Sequence, residues 1–325
     1  MKTGTPIYID EKPICFWDSD SIKTNTSFID SIDPTYFEYV AVTNFEKLQD
    51  ESLKQKAALA ILSNYHHALE TFFVTICSAI QAPKYIVGWF QRYDNSDVRK
   101  VLEKINNDLK LKNSWNIDSF NWNKVADLVF WPKYPIEKLL RTRELFAKLW
   151  KRLSEEYLNQ DFIDEYNNIK HGLRARMGGF QLFIGVEDVP GEISKNMQPV
   201  GGRSEFGCSF YTTEKVNENK WNLKLEHKSI NFDPYCIANR TLLVAMSLSN
   251  ALTFIRMQFN LPQEKLIWQK PIEDSHFDEV WIEDISTKRV SFSVIMDIPQ
   301  KHLISKEDIN QYYVAESFKF PITPT

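Results

Sequence analysis

The chain has 325 residues, of which 43% are hydrophobic and 25% are charged, and its formal net charge is −4. This composition is typical of a globular protein and excludes a disordered, collagen-like or disulfide-stapled chain. The small acidic excess argues against bulk electrostatic attraction to nucleic acid, so that any such contact requires a local basic patch.

The cysteines and the apolar segments indicate the cellular compartment. Cys15, Cys77, Cys208 and Cys236 are scattered without a CxxC motif, which argues against a zinc ribbon or a redox dithiol. Scattered thiols are typical of a reducing cytoplasm. The N-terminal residues lack the apolar run of a signal peptide, and the longest charge-free stretch, 241–255, is too short to span a membrane. We therefore expect a soluble cytoplasmic protein without membrane association.

The first half of the chain is predicted to be mainly helical after one strand. Aromatic and β-branched residues in 36–42 favour a strand. Apolar residues then recur every three or four positions over 52–82, which predicts a long helix that Pro83 ends. A second helix is expected over 96–111, after an Asp/Ser cap. Residues 113–135, rich in Trp, Asn and Pro, are interpreted as a connection.

The second half is predicted to alternate between helices and strands. Helices are expected over 136–158 and 161–173. Strand character follows in three segments separated by turn-rich sequence, 180–186, 205–212 and 221–227. Asp233-Pro234 then begins a helix over 234–259, and its charge-free centre predicts the most buried helix. A terminal hairpin is expected over 276–298.

These elements predict an α+β fold that is mainly α. A helical bundle is expected from 53–175 and 234–259, with a small antiparallel sheet inserted at 178–230 and the C-terminal hairpin after it. No Gly/Ser linker divides 1–325, which favours a single compact unit. The sequence has no Walker A loop, GxGxxG, GxSxG or HExxH motif, which argues against phosphate cradling, classical hydride transfer and lipase-type catalysis.

One segment near the middle of the chain carries a candidate RNA-cleaving site. Asn167 and His171 are four residues apart and would share a helix face, where the amide can orient the imidazole. Lys170, Arg174 and Arg176 add positive charge suited to phosphate. Histidine titrates near neutral pH, so this set could cleave RNA without a metal, using the 2′-hydroxyl as nucleophile. The alternative is an amphipathic helix end whose cations complement the helix dipole.

On its helical bundle, this segment resembles the HEPN superfamily, whose members are often metal-independent ribonucleases of toxin–antitoxin and antiphage systems. Their motif is commonly Arg-Asn-x-x-x-His. Asn167 and His171 match it, whereas the Arg position holds Tyr166. The resemblance covers roughly 53–175 and the 234–259 helix. It implies His171 as the general acid/base and Asn167 as its orienting residue.

The resemblance also implies RNA as substrate or ligand, a role in antiviral defence and a dimer with facing motif helices. Lys170 or Arg174 would replace the missing arginine as the phosphate-binding residue. Alternatively, the chain is a non-catalytic module that binds RNA or a partner, or a non-enzymatic subunit of a larger protein assembly. We assign no metal and no cofactor.

A histidine-rich segment of the first long helix is a second candidate. Glu70 lies four residues after His66 and three after His67, so either pair could orient a histidine or contribute to a metal site. The alternative is a polar stripe that meets neighbouring helices. By the HEPN resemblance, Glu70 or His67 would approach His171.

Two further patterns suit nucleic acid. Four cations of the 136–158 helix form a stripe that could follow a phosphate backbone or be a solvated helix face: Lys138, Arg141, Lys148 and Arg152. Six aromatic residues of the connection could stack bases, or could belong to the core or to a protein interface: Trp115, Phe120, Trp122, Phe130, Trp131 and Tyr134.

Overall fold

The computed structural model describes residues 4–130, 136–171, 174–186, 189, 191, 196–199, 204–216, 219–282, 290–294, 298–299 and 302–315. These residues form mainly helices with small antiparallel sheets, which confirms the expected mainly-α, α+β class. The helices are α1 (Ser21–Ser31), α2 (Thr35–Glu46), α3 (Lys54–Gln81), α4 (Ile86–Arg92), α5 (Asn95–Asn106), α6 (Trp122–Phe130), α7 (Ile136–Leu158), α8 (Gln160–Lys170), α9 (Pro234–Gln258), α10 (His276–Glu279) and α11 (Lys306–Ala315), with 3-10 turns at Lys47–Gln49 and Gln263–Lys265. The strands are β1 (Thr5–Ile9), β2 (Lys12–Phe16), β3 (Arg176–Met177), β4 (Phe183–Ile184), β5 (Gln198–Pro199), β6 (Gly207–Val216), β7 (Asn219–Asn231) and β8 (Val290–Val294).

The centre of the fold is the contact between α3 and α9, both of which the sequence predicts. The Asp233 side chain accepts hydrogen bonds from the first backbone N–H groups of α9, and Pro234 occupies its first turn. From 241 to 255 every side chain of α9 is buried except Leu242 and Met246. The buried part of α3 is at least as long, so α9 shares the centre with α3.

The expected strand over 36–42 is wrong, because these residues form the first part of α2. Phe37 and Ala41, four residues apart, are the buried positions of α2, which packs on α3 and α9. The Asn64 side chain of α3 donates a hydrogen bond to the Phe37 carbonyl at 2.8 Å. Packing against two long helices therefore outweighs the strand preference of the aromatic and β-branched residues.

The connection expected over 113–135 contains a helix, α6, which the prediction from sequence did not include. Trp122, Val125, Ala126 and Val129 recur every three or four positions and are all buried, so the signal was present over a short length. Phe120 and Phe130 are also core residues, and Trp115 is half-buried. Trp131 and Tyr134 lie outside the described residues.

The main sheet has the strand order β3-β6-β7-β8, and all neighbours are antiparallel. Strands β6 and β7 confirm the expectations at 205–212 and 221–227, whereas within 180–186 only Phe183–Ile184 is a strand, paired with β5. In the region 276–298, the described part contains α10 and one strand, β8, which pairs with β7. Residues 283–289 and 295–297 lie outside the described part. None of the described helices is both long and apolar enough to cross a bilayer.

Truncation of the α9 core is expected to destabilise the protein strongly. Leu252 is fully buried and Leu243 nearly so. Leu252→Ala or Leu243→Ala should lower the free energy of unfolding by roughly 2–5 kcal/mol, because each leaves a cavity. Urea denaturation would measure the change. Leu242→Ala, a half-buried leucine of the same helix, is the control, and equal losses at Leu242 and Leu252 would contradict the placement of α9.

Candidate functional site

The predicted motif lies where α8 ends. Asn159 caps the start of α8, and the helix ends at Lys170, earlier than the expected 173. His171 is the C-cap residue, and its backbone N–H donates to the Asn167 carbonyl at 3.0 Å. Its imidazole is exposed and has no hydrogen-bond or ion-pair partner among the described residues. Asn167 is half-buried, and its amide is not seen to orient the imidazole within the described part of the chain.

Two arginines follow His171 and are also exposed. The Arg174 backbone N–H donates to the Asn168 carbonyl at 2.7 Å, which places Arg174 beside the last turn of α8. Arg176 begins β3 at the edge of the main sheet. Neither guanidinium forms an ion pair with a described residue. We refer to His171, Arg174 and Arg176 as the α8–β3 corner.

Lys170 differs from these cations because Glu70 binds it. The Lys170 Nζ atom lies 3.1 and 3.0 Å from the two carboxylate oxygens of Glu70, a nearly buried residue of α3. The same carboxylate accepts hydrogen bonds from the hydroxyls of Tyr93 and Tyr166. Glu70 thus contacts the motif at Lys170, and no contact between Glu70 and His171 is found among the described residues.

Tyr166, at the position of the HEPN arginine, points into the protein. Its ring is 3% exposed and stacks on the His66 ring, with centroids 4.9 Å apart and planes 7° apart. Burial, followed by the charge of Glu70, raises the pKa of Tyr166 above its ordinary value, as it does that of Tyr93. The Tyr166 hydroxyl therefore keeps its proton and acts as a donor to Glu70.

A second buried polar cluster lies beside Tyr166. His66 Nε2 is 3.0 Å from Glu165 Oε2, and Cys208 Sγ is 3.4 Å from Glu165 Oε1. At most 1% of each residue is exposed, so solvent and a substrate do not reach the thiol or the imidazole, and the cluster links α3, α8 and β6. Sequence spacing could not identify it, since His66 and Glu165 are 99 residues apart.

Of the two histidine pairs expected in α3, His67 and Glu70 interact electrostatically, whereas the hydrogen bond of His66 is made with another residue. His66 bonds Glu165 rather than Glu70, and Glu70 bonds Lys170 and the two tyrosines. His67 is exposed, and its ring contacts the Tyr166 ring edge-on at 5.7 Å. No group of three or more potential metal ligands occurs within the part of the chain that the structure describes.

The described cations of the α7 stripe remain exposed, but each contacts another residue of the chain. Arg141 bonds Asp274 at 2.9 Å, Lys148 bonds Asp278 at 2.9 Å, and the Arg152 guanidinium lies 4.0 Å from the centre of the Trp281 ring. Arg240 of α9 contacts the same ring at 4.1 Å. The Lys138 side chain lies outside the described residues. The charges of α7 thus hold residues 274–281 in place, through partners about 130 residues away that sequence spacing cannot reveal.

No family model matches the chain, and neither a curated protein nor a solved structure matches it. The HEPN resemblance therefore stays a prediction.

The buried tyrosines are expected to make the fold sensitive to alkaline pH. An unfolded tyrosine releases its proton near pH 10, whereas Tyr93 and Tyr166 keep theirs in the folded state. Their stabilising effect is complete below about pH 10, and it decreases above that pH by up to about 1.4 kcal/mol per pH unit for each tyrosine.

Urea denaturation between about pH 9 and pH 11 would measure this loss of stability. Tyr166→Phe should make the decrease shallower, because one of the buried phenols is removed. Tyr39→Phe, at an exposed position of α2, is the control. Identical pH dependence in the wild type and Tyr166→Phe would contradict the role of this hydroxyl.

Proposed function

We propose that this chain binds RNA at the α8–β3 corner, where His171 is positioned for acid–base chemistry on the bound strand. A contrast between two groups of cations carries the proposal. Arg141, Lys148 and Lys170 are each bound by a carboxylate of the same chain. Arg174 and Arg176 are exposed and have no ion-pair partner among the described residues, so their charge is available to phosphate.

His171 is placed where a substrate can reach it, because it lies at the C-terminal end of α8 and its side chain is exposed. In a cleavage reaction, a histidine takes the proton of the 2′-hydroxyl while the 2′-oxygen bonds to phosphorus. The bond from phosphorus to the 5′-oxygen breaks, and the histidine gives the proton that it accepted to that oxygen, which leaves a 2′,3′-cyclic phosphate and a 5′-hydroxyl. Arg174 and Arg176 would stabilise the charge on phosphorus.

RNA binding is tested by fluorescence anisotropy with a labelled RNA at several salt concentrations. The double variant Arg174→Ala/Arg176→Ala should bind more weakly. Its plot of log affinity against log salt should be less steep by roughly 1.4, about 0.7 for each phosphate of a single strand that the variant no longer neutralises. The matched control Arg141→Ala/Lys148→Ala removes two cations that are already paired and should leave affinity unchanged. Equal losses of RNA affinity in both variants would contradict RNA binding at the α8–β3 corner. No RNA binding by the wild type would contradict the proposed function.

Catalysis is tested separately, by RNA integrity in cells that express the wild type or His171→Ala. Cleavage that His171→Ala abolishes would assign the acid–base role to this residue. Intact RNA in both cultures, together with RNA binding in vitro, would leave a binding protein without nuclease activity.

A second candidate function is that of a protein-interaction subunit, and the half-buried apolar residues of α9 beside an exposed isoleucine favour it. Leu242 and Met246 are the two residues of 241–255 that are not buried. They line a cleft of about 450 Å³ with Ile272, which is 93% exposed. Contiguous apolar surface of this kind is common at protein interfaces. Sedimentation of the wild type, of Ile272→Asp and of the control Ile22→Asp tests self-association: only Ile272→Asp should dissociate an oligomer.

A further inference from the structure

The main sheet has an outer face that combines aromatic, aliphatic and cationic side chains. Residues paired directly across antiparallel strands lie on the same face. Tyr211 pairs with His227, Lys215 with Leu223, and Phe292 with Ser229. The exposed residues that this pairing places on the outer face include Arg176, Tyr211, Thr213, Lys215, Leu223, Leu225, His227 and Phe292, whereas Asn231 on the same side is buried. Trp221 is assigned to this face by its alternation with Leu223 along β7.

The apolar side of β7 faces solvent, which is the reverse of the usual orientation. Trp221, Leu223 and Leu225 are 46%, 54% and 61% exposed. The alternate residues face the protein: Lys228 bonds Asp164 of α8 at 2.7 Å, and the Glu226 side chain is only 10% exposed. Successive side chains of a strand point to opposite faces. Because charged residues of β7 form ion pairs on the inner face, the apolar residues between them lie on the outer face.

At the described strand positions of the outer face, the charged residues Arg176 and Lys215 are both positive, and α11 beside the face carries Lys306, Glu307 and Asp308 in its first turn. Arg176 and Lys215 are exposed on it, and the Lys306 ammonium lies 4.8 Å from the centre of the Trp221 ring. Both carboxylates of the described parts of these strands, Glu214 and Glu226, lie on the inner face, where Lys224 bonds them. The face is therefore cationic although the whole chain has a net charge of −4.

We infer that this outer face is a stacking platform for single-stranded RNA, an inference that rests on the proposed RNA-binding function. Aromatic rings on a sheet stack unpaired bases, while neighbouring cations contact the phosphates. From Trp221 to His227 the platform extends about 20 Å, at about 3.4 Å per residue. Arg176 belongs both to the platform and to the α8–β3 corner, so a strand bound along the sheet leads towards His171.

The charge distribution selects this ligand over a duplex and over a protein. The bases of a duplex are stacked inside it and do not offer their faces to Tyr211, Trp221 or Phe292. Binding of an apolar protein partner would not require that carboxylates be absent from the strand positions of this face. The phosphates of a single strand are complementary to Arg176, Lys215 and Lys306, and its bases are complementary to the rings.

The test compares a labelled oligouridylate with an RNA hairpin of the same length by fluorescence anisotropy. Tyr211→Ala and Trp221→Ala should each lower oligouridylate affinity roughly 5- to 150-fold, the loss of one base stack. Tyr211→Phe keeps the ring and should bind like the wild type. Tyr36→Ala is the matched control, since Tyr36 on α2 and Tyr211 are both 59% exposed, and it should not change affinity.

Crosslinking provides a readout that does not depend on how the variants fold. Wild-type protein irradiated with 4-thiouridine oligonucleotides should give crosslinks on peptides that contain Tyr211 and Trp221. Crosslinks confined to other peptides would overturn the platform.

The remaining outcomes separate the platform from the proposed function. Suppose that the wild type binds oligouridylate and Arg174→Ala/Arg176→Ala weakens it, while Tyr211→Ala and Trp221→Ala do not. The platform is then overturned and the function stands. If the wild type binds neither RNA, both fail. A wild-type dimer that Leu225→Ser converts to a monomer with unchanged RNA affinity would make the face a protein interface and overturn the inference.

Discussion

The buried carboxylate of Glu70 determines where the candidate site lies. A buried carboxylate costs several kcal/mol unless donors satisfy it, and Glu70 has three: Tyr93, Tyr166 and Lys170. The last two belong to α8, so Glu70 attaches the final turn of that helix to α3. Since the chain leaves α8 directly after Lys170, this bond also fixes where His171 and the following arginines reach the surface.

The ion pairs of α7 and β7 determine which surfaces of the protein keep cations without an ion-pair partner among the described residues. The cations of α7 form ion pairs with residues of 274–281. Charged side chains of β7 form ion pairs with residues of α8 and β6. Individual exposed pairs of this kind contribute little to stability. Their larger effect is on the distribution of surface charge, because they pair one set of cations and leave Arg174, Arg176 and Lys215 without an ion-pair partner among the described residues. A chain of net negative charge thus acquires a local cationic surface.

Tyr166 changes what the HEPN resemblance implies for mechanism. An arginine at this position would have to enter a site that already contains the His66 ring and the Glu70 carboxylate. Tyr166 fills it with a ring that stacks and a hydroxyl that donates, and Lys170 beside it is bound to Glu70. In the proposed function, phosphate binding near His171 therefore depends on Arg174 and Arg176, which come after the histidine rather than before it.

The sequence by itself determined the long helices and the composition of the motif. Regular apolar spacing and end signals located α3, α7 and α9, and a four-residue spacing linked Asn167 to His171. It failed at α2, where packing outweighed strand preference, and at the short helix α6. Only the tertiary structure paired Lys170 with Glu70 and α7 with residues 274–281, because these partners are 100 residues or more apart. Alternation along β7 defines two faces, but contacts with α8 decide which one faces the solvent.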